Sequence, residues 1–172
     1  MKFLSALVVT AFLAAAGLAA DVEMAGMKSK VPDTWKQEAP TSTMRLTQFK
    51  LPKAEGDPED AQLIIFYFKG GSGSAEDNLK RQLAKFAGKP EVKLDKIKIG
   101  THEAPYQDVT GTYMAKDRPF DPAAKVTEKK DYRQLYVPLV TDQGDFYPTL
   151  IGPAKTVEKH KKTFEEFLKN FK

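Results

Sequence analysis

Residues 61–68, AQLIIFYF, constrain the fold more than any other stretch of the chain. Successive side chains of a strand face opposite sides of a sheet, so a run that is apolar at nearly every position needs cover on both faces. The segment reads as a central strand with a layer above and a layer below. It stops at KGGSGSAEDN, a glycine-rich exit leading into a helical pattern. Leu79, Leu83 and Phe86 recur at i, i+4 and i+7, which predicts an amphipathic helix of about three turns.

The remaining segments supply strands and one more helix. VPDTWKQEAP and TMRLTQFKLP read as two short strands, and EVKLDKIKIG as an outer strand whose alternation slips phase, as at a bulge. YQDVTGTYMA and YRQLYVPLVTD are two further strands, separated by the long loop KDRPFDPAAKVTEKK. DFYPTLIG is the last strand, joined to its predecessor by the hairpin signal DQG. The C-terminal segment opens with Pro153, suited to a helix's first turn, and lines up Val157, Phe164, Phe167, Leu168 and Phe171 on one stripe. His160 lies at the edge of that stripe, in a packing position. This order predicts an α+β fold, a mostly antiparallel β-sheet flanked by helices.

The N-terminus sets the compartment. Lys2, the apolar run Phe3 to Leu18 and the small residues Ala19 and Ala20 have the form of a secretory signal peptide, cleaved near Ala20. The expected organisation is 1–20 signal peptide, 21–31 flexible mature N-terminus and 32–172 a single α+β domain, exported to the periplasm or beyond. The chain has no cysteine. Its domain must therefore rest on an ordinary hydrophobic core instead of disulfide staples.

Charge narrows the partners. The net charge is +4, but 27 basic residues interleave with 23 acidic ones, so no single-sign field is built and no nucleic-acid partner is expected. The C-terminal helix has no apolar surplus beyond what packing on a sheet would use, so stable membrane insertion after signal cleavage is not expected either. An unknown protein or small molecule is the expected partner.

The glycine-rich junction admits two readings. Gly71, Ser72, Gly73, Ser74 and Asn78 could form a ligand site, with loop N–H groups converging on an anion at the helix N-terminus. Alternatively Ser74 caps the helix with Asp77 in an S-x-x-D arrangement, and the glycines only turn the chain. Neither phosphate-binding glycine motif fits, and Glu76 and Asp77 in the first turn oppose an anion. Capping is the favoured reading.

Chemistry-bearing residues are few. His102 and Glu103 are adjacent and could form an acid/base pair for a hydrolase-like reaction. No metal motif and no cofactor motif is present, and the Asp57, Glu59 and Asp60 cluster lacks Ca²⁺-loop spacing. The tyrosines of the later strands, among them Tyr136 and Tyr147, read as half-buried core in preference to a groove lining. In the long loop, Arg118 and Phe120 are candidate partner-binding residues, because Arg and aromatics anchor interfaces.

From VPDTWK through MRLTQFKLP, FYFKGGSGSAEDNLKRQ, DVTGTY, RPFDPAAK, DYRQLYVPLV and LIGPAKTVEKHKKTFEEFLKNFK, the chain resembles a group of small exported bacterial proteins of planctomycete type. The resemblance spans about residues 31 to 172, and that group's function is uncharacterised. The element order, with an N-terminal P..W, also resembles the PsbP-like α-β-α sandwich. That second resemblance implies helices on both faces of the sheet and a binding or assembly role without catalysis, and it transfers no ligand residue. The expected function is an exported, non-enzymatic binding or protein-interaction module.

Overall fold

The structure is a computed structural model, and it describes residues 21–118, 121 and 123–172. In chain order the elements are β1 (Val22–Met24), β2 (Met27–Ser29), β3 (Lys36–Glu38), β4 (Arg45–Leu51), β5 (Ala61–Phe68), α1 (Ala75–Leu83), β6 (Phe86–Ile99), β7 (His102–Lys116), β8 (Val126–Tyr136), β9 (Leu139–Thr141), β10 (Gly144–Pro153) and α2 (Ala154–Lys169). An eight-stranded sheet runs in the order β3-β4-β5-β10-β8-β7-β6, with β9 added to β10. All its pairings are antiparallel. The fold is α+β, as the element order predicts.

β5 is an interior strand, between β4 and β10, as its apolar run predicts. Leu63 lies opposite Leu150 and Ile64 opposite Thr149, so adjacent residues of β5 face the two different layers. One face carries Phe49, Leu51, Leu63, Ile65, Leu135 and Leu150 and is covered by α2. Val157, Phe164, Phe167 and Leu168 of α2, all buried, press onto it. Trp35 closes this core edge-on against Phe167, with ring centroids 5.3 Å apart. The opposite face carries α1, so the helices lie on opposite sides of the sheet. His160 is buried on the α2 side, its Nε2 2.8 Å from the Pro52 carbonyl, in the packing role its position predicts.

Three expectations are corrected. Residues 21–31 are not a loose arm: β1 and β2 form a hairpin whose Met24 is 0% exposed within the main core. Backbone bonds between Lys28 and Lys172 (2.9 and 3.2 Å) tie that hairpin to the C-terminal end of the chain. The sequence shows no periodicity there because a three-residue strand is too short to display one. The loop after β7 is also shorter than expected. β7 continues to Lys116 and β8 begins at Val126, with the two strands paired up to that point. Finally, Phe86 does not end the first helix but opens β6. The slipped alternation of EVKLDKIKIG marks no bulge: β6 pairs in unbroken register from Glu91 to Ile99, and its register shift lies before that segment, between Ala87 and Glu91, where Gly88 takes φ +70°.

Residues 1–20, to which the signal peptide is assigned, lie outside the described residues, as do Pro119, Phe120 and Pro122.

Candidate functional site

The junction between β5 and α1 begins with a cap. Ser74 has extended backbone (φ −65°, ψ 155°), and its Oγ accepts from the Asp77 N–H at 3.1 Å. The same hydroxyl donates to Asp77 Oδ2 at 2.7 Å. Glu76 and Asp77 supply negative charge to the first turn. The capping reading of Ser74 is therefore what the structure shows.

The glycines wrap the chain around a carboxylate of the protein itself. Gly71 (φ +76°) and Gly73 (φ +95°) take left-handed conformations that side chains rarely adopt. Between them the Ser72 N–H donates to Asp145 Oδ2 at 3.0 Å. A loop shaped to receive an anion holds an internal one, delivered from β10. Tyr147 OH donates to the same oxygen at 3.2 Å, and Ser72 Oγ hydrogen-bonds Tyr147 OH. Burial and the Asp145 charge push the Tyr147 hydroxyl above its usual range, against the Ser72 hydrogen bond, which pulls it down.

Asn78 continues the network on the underside of α1. Its Nδ2 donates to the Ser74 carbonyl at 2.9 Å and to Tyr147 OH at 3.4 Å. Arg81 reaches back to the Ser72 carbonyl at 2.7 Å and to Asn78 Oδ1. Asn78 is the one residue of α1 that is fully buried. The apolar face expected from Leu79 and Leu83 is thus only half-buried, and α1 meets the sheet mainly through amides and hydroxyls. Gln82 Oε1 accepts from Gln134 Nε2 at 3.2 Å, and the Leu79 carbonyl from Gln107 Nε2 at 3.3 Å. Beneath, Tyr136 and Tyr147 stack with centroids 5.9 Å apart and planes within 9°.

This seam contains unmet acceptors. Gln107 and Gln134 are each 2% exposed, and the Oε1 of both accepts no hydrogen bond from any described residue. Buried polar atoms without partners are rare because desolvation is then uncompensated. Of the sequence-proposed ligand residues, Ser72 and Asn78 enter this network, Gly71 and Gly73 shape the loop, and Ser74 caps the helix. Asp145, Tyr136, Tyr147, Gln82, Gln107 and Gln134 complete it; of these the sequence pattern flags only the two tyrosines, as half-buried core, and both are buried at 2% exposure. The one local signal was the i, i+4 spacing of Asn78 and Gln82, two polar residues on one helical face.

The other nominated residues lie elsewhere. His102 pairs with Ile99 and Glu103 with Lys98, so the two side chains project to opposite faces of the sheet. Glu103 is held by Lys96 Nζ at 2.6 Å. Neighbours on a strand cannot converge, and the expected acid/base pair does not form. Arg118 is exposed and ion-paired locally with Asp121. Its companion Phe120 lies outside the described residues.

The three carboxylates of GDPED each serve a separate bond. Asp57 accepts from the N–H and hydroxyl of Thr156 at 2.8 and 2.6 Å, capping α2 from a distance. Glu59 takes Lys129 at 2.7 Å and the Tyr132 hydroxyl, and Asp60 takes the Lys53 N–H at 2.9 Å. Among the described residues no three His, Cys, Asp or Glu side chains group as metal ligands.

One further charged cluster is buried, on the α2 side. Asp108 accepts from Arg133 Nε at 2.7 Å and Nη2 at 2.6 Å, and from Lys161 Nζ at 2.9 Å. Burial pushes the Asp108 carboxyl up, but the hydrogen bonds from Arg133 and Lys161 outweigh it and hold it below its ordinary value. Arg133 also contacts Glu158. The cluster pins α2 to β7 and β8.

No family model matches the chain, and no curated protein matches it. Among solved structures it is similar to PA94, a protein of unknown function from Pseudomonas aeruginosa, at 18% identity and TM-score 0.46, over 89% of this chain and 95% of that one. It is similar to LpqN, involved in cell envelope biogenesis of Mycobacterium tuberculosis, at 14% identity and TM-score 0.44, over 84% and 79% of the two chains. It is also similar to cyanobacterial PsbP from Synechocystis sp. PCC 6803, at 13% identity and TM-score 0.48, over 96% and 98%.

Proposed function

We propose that this chain is an exported, non-enzymatic binding module whose ligand enters the polar seam between α1 and the sheet. The observation that carries the reading is the pair of buried glutamine oxygens that find no donor among the described residues. A helix normally settles on a sheet through an apolar stripe. Here the contact is made by Asn78, Gln82, Gln107 and Gln134 over the Tyr136–Tyr147 stack, and two acceptors are left over. A neutral molecule rich in O–H groups supplies the missing donors, and its C–H surface packs on the tyrosine rings.

Access follows from the hinges. Gly71 and Gly73 permit α1 to swing at its N-terminal end, while its C-terminal end is held by β6, which starts at the buried Phe86. In this reading Ser72 and Asn78 form the latch with Tyr147, and Asp145 keeps the loop folded when α1 is closed.

The test uses maltose as a neutral polyhydroxyl probe. Wild-type protein is titrated while the side-chain amide resonances of Gln107 and Gln134 are followed by NMR. Saturable shifts at both, accompanied by shifts of the backbone amides of Asn78 and Tyr147 that are lost in a Gln107→Leu/Gln134→Leu variant, are the expected result. If neither amide moves, or if the double variant responds as wild type does, the seam is not the site.

A further inference from the structure

At the opposite end of α2 the structure forms an open cleft of about 670 Å³. It lies between the β1–β2 hairpin, the β6–β7 turn and the last residues of the chain. Its floor is Met27, Gly100 and Phe171, and its rim carries Lys98, Lys169 and Lys172. The volume falls within the roughly 300–1,000 Å³ of small-molecule sites.

The floor is built, not incidental. Gly100 sits at φ +57°, and a Cβ there would meet Met27 Sδ at 2.2 Å and the Phe171 carbonyl at 3.3 Å. The Met27 thioether therefore lies directly on a bare backbone. Phe171 is buried and packs edge-on against Phe167, with centroids 5.2 Å apart. The Lys28–Lys172 backbone bonds hold the two walls together.

The charged side chains of the rim are all basic. No acidic side chain lines the cleft, and among the described residues none of the three ammonium groups is in an ion pair. Lys169 also offsets the negative end of the α2 dipole, and Lys98 stands opposite Glu103 in the β6–β7 pairing, a carboxylate already held by Lys96. Lysine stems are apolar and extend the floor while their heads stay in water. An apolar strip under three basic side chains is complementary to a molecule with an alkyl chain and an anionic head.

We propose that this cleft binds a single-chain anionic amphiphile as a monomer, its chain along Met27, Gly100 and Phe171 and its head among Lys98, Lys169 and Lys172. The site is separate from the α1 seam, so either can fail without the other.

The experiment titrates the full mature chain with dodecanoate below its micellar concentration and follows the amide resonances of Gly100 and Thr101. Acetate supplies the head without the chain, and dodecyl maltoside the chain without the head. Saturable shifts with dodecanoate, little response to either control, and a loss of affinity of about tenfold or more in Lys98→Gln/Lys169→Gln/Lys172→Gln support the proposal. These lysines are exposed, so that variant is expected to fold as wild type does. Met27→Gln probes the floor and is expected to weaken dodecanoate binding without affecting Gln107 or Gln134. Equal binding of dodecyl maltoside, undiminished binding by the triple variant, or shifts confined to other residues would overturn it. Binding to phosphatidylglycerol vesicles with none to monomeric dodecanoate would also overturn it, in favour of a membrane surface.

Discussion

Replacing Asp108 by Asn would break the most charged contact between α2 and the sheet. Asp108 is 5% exposed and accepts three hydrogen bonds, two from Arg133 and one from Lys161. Asn keeps the shape but removes the charge, and its NH₂ group faces donors. Truncating one partner of a buried ion pair costs about 3–5 kcal/mol because the other charge stays buried. Arg133 retains Glu158, and Lys161 is partly exposed and can turn to water, so the lower end applies, about 3 kcal/mol. With a urea slope near 2 kcal/mol/M for a chain of this size, the unfolding midpoint should fall by about 1.5 M with the slope unchanged.

The pH dependence gives a second handle on the same residue. The folded-state carboxyl lies below its unfolded value, so its contribution is present above an unfolded value of about 3.9 and is lost as pH falls through the folded value. The stability gap between wild type and Asp108→Asn should be constant above about pH 5 and shrink below about pH 4. Urea titrations from acid to neutral pH measure it. A loss under about 1 kcal/mol at neutral pH, or a gap that holds its size throughout the acid range, would refute the argument.

Gly152→Ala should destabilise by about 1–3 kcal/mol, because the new Cβ would lie 2.7 Å from Ala61 Cβ and 2.8 Å from its Cα, where only backbone could yield. Calorimetry should show the melting temperature lowered by several degrees, about 2–4 °C per kcal/mol. Met24→Ala should cost about 2–5 kcal/mol, since the side chain is fully buried in the main core. An unchanged urea midpoint would mean that the β1–β2 hairpin is not part of the folded unit. Ser74→Ala removes the α1 cap and should cost about 1 kcal/mol. Hydrogen exchange should quicken across Ala75–Leu83 and stay unchanged in α2.

Much of the architecture was legible because it is written in local periods. The apolar run of β5 predicts an interior strand, and β5 lies between β4 and β10, with α2 and α1 on opposite sides of the sheet. The α2 stripe named its buried residues because a 3.6-residue repeat over sixteen positions leaves little ambiguity. The hairpin of 22–29 was missed because its strands are three residues long, and its burial depends on a partner more than a hundred residues away. The spacing of Leu79 and Leu83 predicts an apolar face for α1. Its nine residues sit over a sheet face of Tyr and Gln, which selects Asn78 and Gln82 as the contact instead.

The candidate site divides along the same line. The glycine turn, the Ser74 cap and the acidic first turn are short-range features, set by φ/ψ freedom and by donors three residues apart, and KGGSGSAED carries them without help. That the turn encloses Asp145 depends on β10 running antiparallel beside β5, seventy-odd residues later in the chain. The unmet oxygens of Gln107 and Gln134 are likewise a consequence of register: pairing Gln107 with Tyr136 and Val109 with Gln134 brings two amides to one face beneath α1. Local composition sets which residues can bond, and chain topology sets which of them meet.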